Sequence, residues 1–155
     1  MFQLLTIESS KEAWFVEATN LYTKKINHYY PFERKALKSK SMGREDKETK
    51  KRLETKQIVD AIDNKSLVIL LDEAGKNYSS ENFSKLLVSS LENGKKNIQF
   101  IIGGAYGVTD ELKKTANHKI SLSPMVMNHF VAQTVLMEQL YRALTIWKGI
   151  PYHNE

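Results

Sequence analysis

The chain has 155 residues, of which 41% are hydrophobic and 26% charged, the proportions of an ordinary globular domain and not those of a disordered or fibrous chain. Its longest unbroken apolar run is Leu67 to Leu71, against about 20 residues for a bilayer span, and without cysteine it has no disulfide, thiolate metal site or cysteine nucleophile. The net charge of +5 admits a polyanionic partner without naming one.

One domain over residues 1–155 is expected from this length. The start, Met1 to Glu8, lacks a basic n-region and meets an acid early, so no secretory signal is expected; together with the absence of cysteine this points to the cytoplasm. Phe2 to Ile7 is rich in strand formers. Between Lys11 and Tyr29, Trp14, Phe15, Ala18, Leu21, Tyr22 and Ile26 recur at three- and four-residue steps, which predicts an amphipathic helix ended by Asn27 to Pro31. Phe32 to Leu37 follows a proline and alternates charge, the pattern of a short edge strand.

From Glu33 to Lys56, ten basic residues face five acidic ones, so this segment carries as much net charge as the whole chain. Lys38 to Gly43 reads as a mobile loop, and a helix with a thin stripe of Leu53, Ile58, Val59 and Ile62 is predicted from Arg44 to Ile62. Such a segment is either a solvated, charge-laced helix or a flap whose lysines and arginines follow a nucleic-acid backbone.

Ser66 to Leu71 is the continuous apolar run of a strand covered on both faces, expected centrally in a sheet. Asp72 to Asn77 reads as a loop. Ser79 or Ser80 caps a helix with an inner face of Phe83, Leu86, Leu87, Ser90 and Leu91, ending near Gly94, and Ile98 to Ile102 is a second buried strand. Strand, helix and strand in this order predict a parallel crossover and an α/β fold, with a parallel-type sheet flanked by helices. Thr109-Asp110-Glu111 opens a short helix with a cap, and Lys119 to Leu122 is a candidate fifth strand. The last helix is predicted from Asn128 to Lys148, with Val131, Val135, Leu136, Leu140, Leu144 and Trp147 inside.

Three segments carry candidate chemistry. Gly103-Gly104-Ala105-Tyr106-Gly107 follows a buried strand and precedes a helix, the place where open α/β sheets bind ligands; its GGxxG spacing is neither a dinucleotide fingerprint nor a P-loop, so a ligand loop and a tight structural turn both fit. Ser121 to Asn128 is an uncharged, partly apolar loop that suits an adenine-like ring held by main-chain groups. His129 stands at a helix start, where the dipole lowers its pKa: a base, an acceptor or a capping residue. The tail, Gly149 to Glu155, pairs Tyr152 with His153 after Pro151 and is suited to closing an active site, its own or a neighbouring subunit's. His28 and His118 have no partner at ligand spacing, and no metal is expected.

GGAYG, SLSPM, NH at a helix start, EQLYRA and the terminal PYH, in this order and spacing, closely resemble the ribosomal RNA large-subunit methyltransferase H family of SPOUT-class enzymes, over essentially the whole chain. The resemblance implies a C-terminal deep trefoil knot, a homodimer, and transfer of a methyl group from S-adenosyl-L-methionine to N3 of a pseudouridine in 23S rRNA of the assembled ribosome. It places the cofactor at Leu71, Gly103, Gly104, Ser123, Pro124, Met125, Val126, Met127 and Asn128. It places His129, Tyr141, Arg142, Tyr152 and His153 on the substrate side, with a neutral His129 or His153 accepting the N3 proton and Arg142 holding an oxyanion or phosphate. The sequence departs from the family pattern at Asn128, where a proline is common, at Tyr106, where an acid is common, and at Gln133, where an arginine is frequent. The competing readings are a methyltransferase of the same architecture acting on tRNA or another base, and a noncatalytic ribosome-binding module.

Overall fold

A computed structural model describes residues 1–8 and 10–154. Along the chain run β1 (Phe2–Glu8), α1 (Ala13–Asn27), β2 (Phe32–Lys38), α2 (Lys47–Ala61), β3 (Leu67–Asn77), α3 (Ser80–Glu92), β4 (Ile98–Ile102), α4 (Asp110–Thr115), β5 (His118–Ser121) and α5 (His129–Lys148). The five strands form one sheet in the order β2-β1-β4-β3-β5, with every pair parallel.

Alternation along the strands separates two apolar layers. Phe2 and Leu4 of β1, Leu67 and Ile69 of β3, and Ile98, Phe100 and Ile102 of β4 pack with α1, α3 and α5. Leu5, Ile7, Val68, Leu70 and Ile101 face the opposite way, against Ile58 of α2 and Leu112 of α4. A sheet covered on both faces buries its central strand throughout, and all five residues of β4 are buried, the polar Gln99 among them satisfied by the Asp63 amide and Gln3. β4, not β3, therefore holds the middle of the sheet, while β3 is interior but one place off centre. β2 lies at an edge, as its alternating charges predict.

Several boundaries differ from expectation for identifiable reasons. Asp72 to Asn77 is not simply a loop: β3 bulges out at 72–75 and resumes pairing when Lys76 meets Ile120 and Asn77 meets Ser121. Gly75 permits this return, because a Cβ there would lie 2.7 Å from the backbone of Lys119 and Ile120. The buried face of α2 carries Glu54, Thr55 and Ile58, leaving Leu53 and Val59 exposed. Asp46 caps α2 by accepting from the Thr49 amide at 2.8 Å, which delays the helix start to Lys47. The preceding segment is tied to α2: Gln57 accepts from the Lys40 amide and donates to the Lys38 carbonyl, and Glu45 accepts from Ser41 and Met42. In α5, Val131 and Trp147 point outward while Phe130, Gln133 and Met137 take inner positions, a rotation of the predicted stripe. Thr109 precedes α4 without a side-chain capping bond.

Replacing Gly75 by alanine is expected to cost about 1–3 kcal/mol, because the obstructing atoms are backbone and can yield only by separating β3 from β5. Urea unfolding of Gly75→Ala against the unsubstituted protein measures this crowding penalty, while Gly94→Ala, whose Cβ meets nothing within 4 Å but whose φ is +83°, reports the separate cost of positive φ.

Candidate active site

Because every strand runs the same way, the carboxyl ends of β3, β4 and β5 open on one edge of the sheet, and a cleft of about 460 Å³ lies there. Its walls include Leu71, Ile102, Ile120 and Leu122, with the glycine loop on one side and Ser123 and Met125–Met127 on another. Leu71, Gly103, Gly104, Ser123, Met125, Val126, Met127 and His129 are thus brought together. Pro124 and Asn128 do not line the cleft. Asn128 instead caps α5, its Oδ1 accepting from the Phe130 amide at 2.8 Å, so the residue standing in place of a family proline retains a structural task.

The glycine loop is both a tight turn and a cleft wall. The Gly107 amide donates to the Gly104 carbonyl at 3.0 Å, and Gly107 has φ +73°, a region that favours glycine. A Cβ at Gly103 would meet Val108 at 2.7 Å and the Gly107 backbone at 3.0 Å, and one at Gly104 would overlap the Glu54 carboxylate. α2 presses on this loop at further points: Thr55 Oγ1 accepts from the Thr109 amide at 3.1 Å, and the ammonium groups of Lys47 and Lys50 lie 5.7 and 5.6 Å from the Tyr106 ring centre. Glu54 is 2% exposed; its Oε1 accepts from the Ser39 hydroxyl at 2.6 Å, while Oε2 has no hydrogen-bond partner.

Asp72, Glu73 and Lys113 are the charged residues of the cleft lining, and Asp72 pairs with Lys113. Burial works to raise the Asp72 pKa, but the Ala74 amide and the Lys113 ammonium, each at 3.0 Å, outweigh it and hold the carboxyl below its ordinary value. Burial lowers the pKa of His129, the Arg34 charge acts in the same direction, and the Gly103 carbonyl and Glu54 oppose them; the net shift is downward. The neutral imidazole expected at this helix start therefore has burial, ahead of any dipole, as its main cause. Asp72 and Lys113 are cleft residues that the motif reading missed, whereas Tyr106 lies in the glycine loop it singled out. Only the sheet pairing brings Asp72 and Lys113 together, so no sequence spacing marks them.

Arg142, Tyr152 and His153 lie elsewhere. α5 ends at Gly149 with φ +66°, and the tail folds back on its own chain. Tyr152 donates to Glu138 Oε1 at 3.1 Å, Arg142 Nη2 donates to the same oxygen at 2.6 Å, and the Arg142 guanidinium lies 4.8 Å from the Tyr152 ring centre. His153 pairs with Glu81 through Nε2 and meets Arg142 Nη1 at 3.2 Å through Nδ1. A guanidinium only donates, so Nδ1 accepts and the ring proton sits on Nε2, toward the carboxylate. The Ser79 hydroxyl, the Glu81 amide and His153 together pull the Glu81 carboxyl down to about 2. Tyr141 joins this cluster, its ring centre 4.7 Å from that of Tyr152. None of these four side chains lines the cleft. Among the described residues, no group of three or more His, Cys, Asp or Glu is placed to hold a metal ion, and no helix is long and apolar enough to cross a membrane.

A neutral, half-buried His129 makes stability pH-dependent in a definite sense. As pH falls below the ordinary histidine value of 6.5, the unfolded chain takes up this proton first, so the contribution is complete above that pH and is lost as pH falls toward the depressed folded value. Urea unfolding at stepped pH is expected to show a stability rise across this interval that His129→Gln flattens.

Comparison with known proteins accords with this arrangement. The family described as "Predicted SPOUT methyltransferase" matches residues 1–153. A protein named "Ribosomal RNA large subunit methyltransferase H" from Bdellovibrio bacteriovorus is 46% identical over 153 residues, covering 99% of this chain and 98% of its own. The protein of the same name from Parabacteroides distasonis is 35% identical over 153 residues, covering 98% of each chain. A solved structure described as "a probable methylase family protein" from Haemophilus influenzae Rd KW20 superposes with a TM-score of 0.59 at 15% identity, covering 99% of this chain and 70% of that one, a likeness of fold alone. The match over nearly the whole length, together with a glycine-walled cleft at the carboxyl edge of a parallel sheet, places the chain in the SPOUT methyltransferase family.

Proposed function

We propose that the protein is an S-adenosyl-L-methionine-dependent methyltransferase that modifies N3 of a pseudouridine in 23S rRNA of the assembled ribosome, acting in the cytoplasm as a homodimer. The observation that carries this reading is the cleft itself: a slot with apolar walls of Leu71, Ile102, Ile120 and Leu122 at the carboxyl ends of β3, β4 and β5, bounded by a glycine turn and an uncharged loop, within a chain 46% identical over its length to a ribosomal RNA methyltransferase. Leu71, Gly103, Gly104, Ser123 and Met125–Met127 would hold the cofactor. Apolar walls suit its adenosine, and exposed backbone groups of the two loops supply polar contacts without a competing charge. Bound there, the cofactor supplies an activated methyl group on a sulfonium. The knotted C-terminal path implied by the family belongs to this reading.

The remaining work falls to the chain. Positioning contributes most of the acceleration in an in-line methyl transfer, and the basic residues of β2, α2 and the segment between them supply phosphate contacts that orient RNA without reading its sequence. The imide N3 must also lose its proton. His153 has an acceptor nitrogen, Nδ1, now occupied by Arg142. Exchange of this contact for the substrate would let His153 take the proton while Arg142 holds developing negative charge.

Since the tail cluster lies away from its own subunit's cleft, the same residues of a second copy are the ones offered to it. Trp14, Leu21, Val131 and Trp147, large apolar side chains left exposed on α1 and α5, favour such self-association. The tail would then serve the cleft across the dimer, beside a basic segment packed on that cleft's own wall.

Incubation with methyl-labelled S-adenosyl-L-methionine and ribosomes lacking the modification is expected to place label on N3 of one pseudouridine of 23S rRNA, mapped by mass spectrometry. Label on tRNA or another base would move the substrate and keep the chemistry. Stoichiometric cofactor binding without transfer to any RNA would favour a binding module. In single-turnover assays at saturating cofactor, His153→Ala and Arg142→Ala are expected to slow methylation by about 10²-fold or more; unchanged rates would remove them from the chemistry. Mixed dimers of Gly103→Val, defective in the cleft, and His153→Ala, defective in the tail, should recover part of the activity that neither homodimer has.

A further inference from the structure

Beneath the cleft, at the carboxyl end of β1, lies a polar cluster for which the proposed reaction has no use: Glu8 of β1, Arg34 of β2, and Gln133 and His129 of α5. Gln133 is fully buried and makes hydrogen bonds to all three others. Its Oε1 lies 2.9 Å from Arg34 Nε, and its Nε2 lies 3.1 Å from Glu8 Oε1 and 3.0 Å from His129 Nε2. Arg34 is also paired directly with Glu8, and its guanidinium stacks 4.9 Å from the Phe15 ring centre.

The chemistry of these partners removes the usual ambiguity of an amide and an imidazole. Arg34 Nε can only donate, so the Gln133 atom facing it is the oxygen. The Glu8 carboxylate accepts, so the Gln133 atom facing it is the nitrogen. That nitrogen has two hydrogens: one goes to Glu8 and the other meets His129 Nε2, which must accept it. The neutral His129 ring therefore carries its proton on Nδ1. This nitrogen is buried and makes no well-formed hydrogen bond, and the Gly103 carbonyl of the cleft wall is the backbone group that faces the ring and favours its N–H.

We infer that Glu8, Arg34 and Gln133 are positioning residues that lock His129 as the Nδ1–H tautomer, which leaves an unpartnered N–H donor at the cleft wall that His129 shares with Gly103, and that His129 is not the proton acceptor of methyl transfer. The groups around the ring agree with this assignment. Arg34 repels a second proton, Glu54 and Glu8 favour one, and burial decides for the neutral form. The assignment also resolves a choice the sequence leaves open, since His129 Nε2 is occupied by an internal donor. For the role of the cleft the inference rests on the proposed cofactor reading; for the tautomer it does not.

The test is therefore made first on the free protein. Long-range ¹H–¹⁵N spectra of the imidazoles, recorded at a pH where His129 is neutral and assigned with His129→Asn, are expected to show a protonated-type Nδ1 and an unprotonated-type Nε2. Arg34→Lys retains a donor to Gln133 and should keep that signature. Gln133→Glu presents only acceptors to the ring and should move the proton to Nε2 or make the ring cationic. A wild-type ring with the proton on Nε2 overturns the inference, and this spectrum decides the point even where a variant fails to fold.

The second readout separates positioning from proton transfer. His129→Asn is expected to weaken S-adenosyl-L-methionine binding, measured by calorimetry, by about tenfold, the scale of one net hydrogen bond. Its single-turnover rate at saturating cofactor should keep the wild-type pH dependence. A loss of the rate's dependence on a basic group, with cofactor affinity intact, would make His129 the base and overturn the assignment. If no RNA is methylated at all, the functional reading fails while the tautomer and cofactor measurements still decide this one.

Discussion

The arrangement depends on the parallel pairing of β4 between β1 and β3. Parallel strands joined by helices bury both sheet faces, which is why Ile98 to Ile102 has no exposed residue and why the apolar layers divide cleanly between the α1–α3–α5 side and the α2–α4 side. The same pairing sends every carboxyl end to one edge. Segments distant in sequence, Leu71 to Glu73, Gly103 to Val108 and Ile120 to Met127, consequently meet around a single cleft. Neither loop could form a site alone.

On that edge α2 has a second role besides covering the sheet. Its buried Glu54 lies against Gly104, its Thr55 accepts from Thr109, and its lysines cover Tyr106. The most basic segment of the chain is thereby packed directly on a wall of the cleft. On the proposed reading, phosphate contacts made by this segment would be placed directly beside the cleft, as suits a polyanionic substrate whose reacting atom must be positioned accurately.

The polar cluster at Glu8, Arg34, Gln133 and His129 ties three elements, β1, β2 and α5, through one amide. Arg34 of β2 donates to the buried Gln133 of α5, which in turn donates to Glu8 of β1. A buried amide satisfied by Arg34, Glu8 and His129 is costly to disturb, since loss of any one partner leaves a polar atom without water to replace it.

How much the sequence determined follows the range of the interactions concerned. Apolar runs and helical periodicities identified all ten elements, the edge position of β2 and the α/β class, because local spacing and burial dictate them; the order of weak motifs identified the family. Other features required the tertiary structure. The pairing of Lys76 and Asn77 with β5 is invisible in a polar stretch that reads as a loop, and Leu53, Val59, Val131 and Trp147 were placed inside by periodicity although packing turns them outward. The resemblance groups Leu71, Gly103 and Ser123 at one site; the structure adds His129 to that cleft, sets Arg142, Tyr152 and His153 apart from it, and supplies the donor and acceptor matching from which the His129 tautomer is inferred. These are consequences of sheet register and of donor and acceptor matching between residues up to 125 positions apart, and nothing in a one-dimensional pattern encodes such encounters.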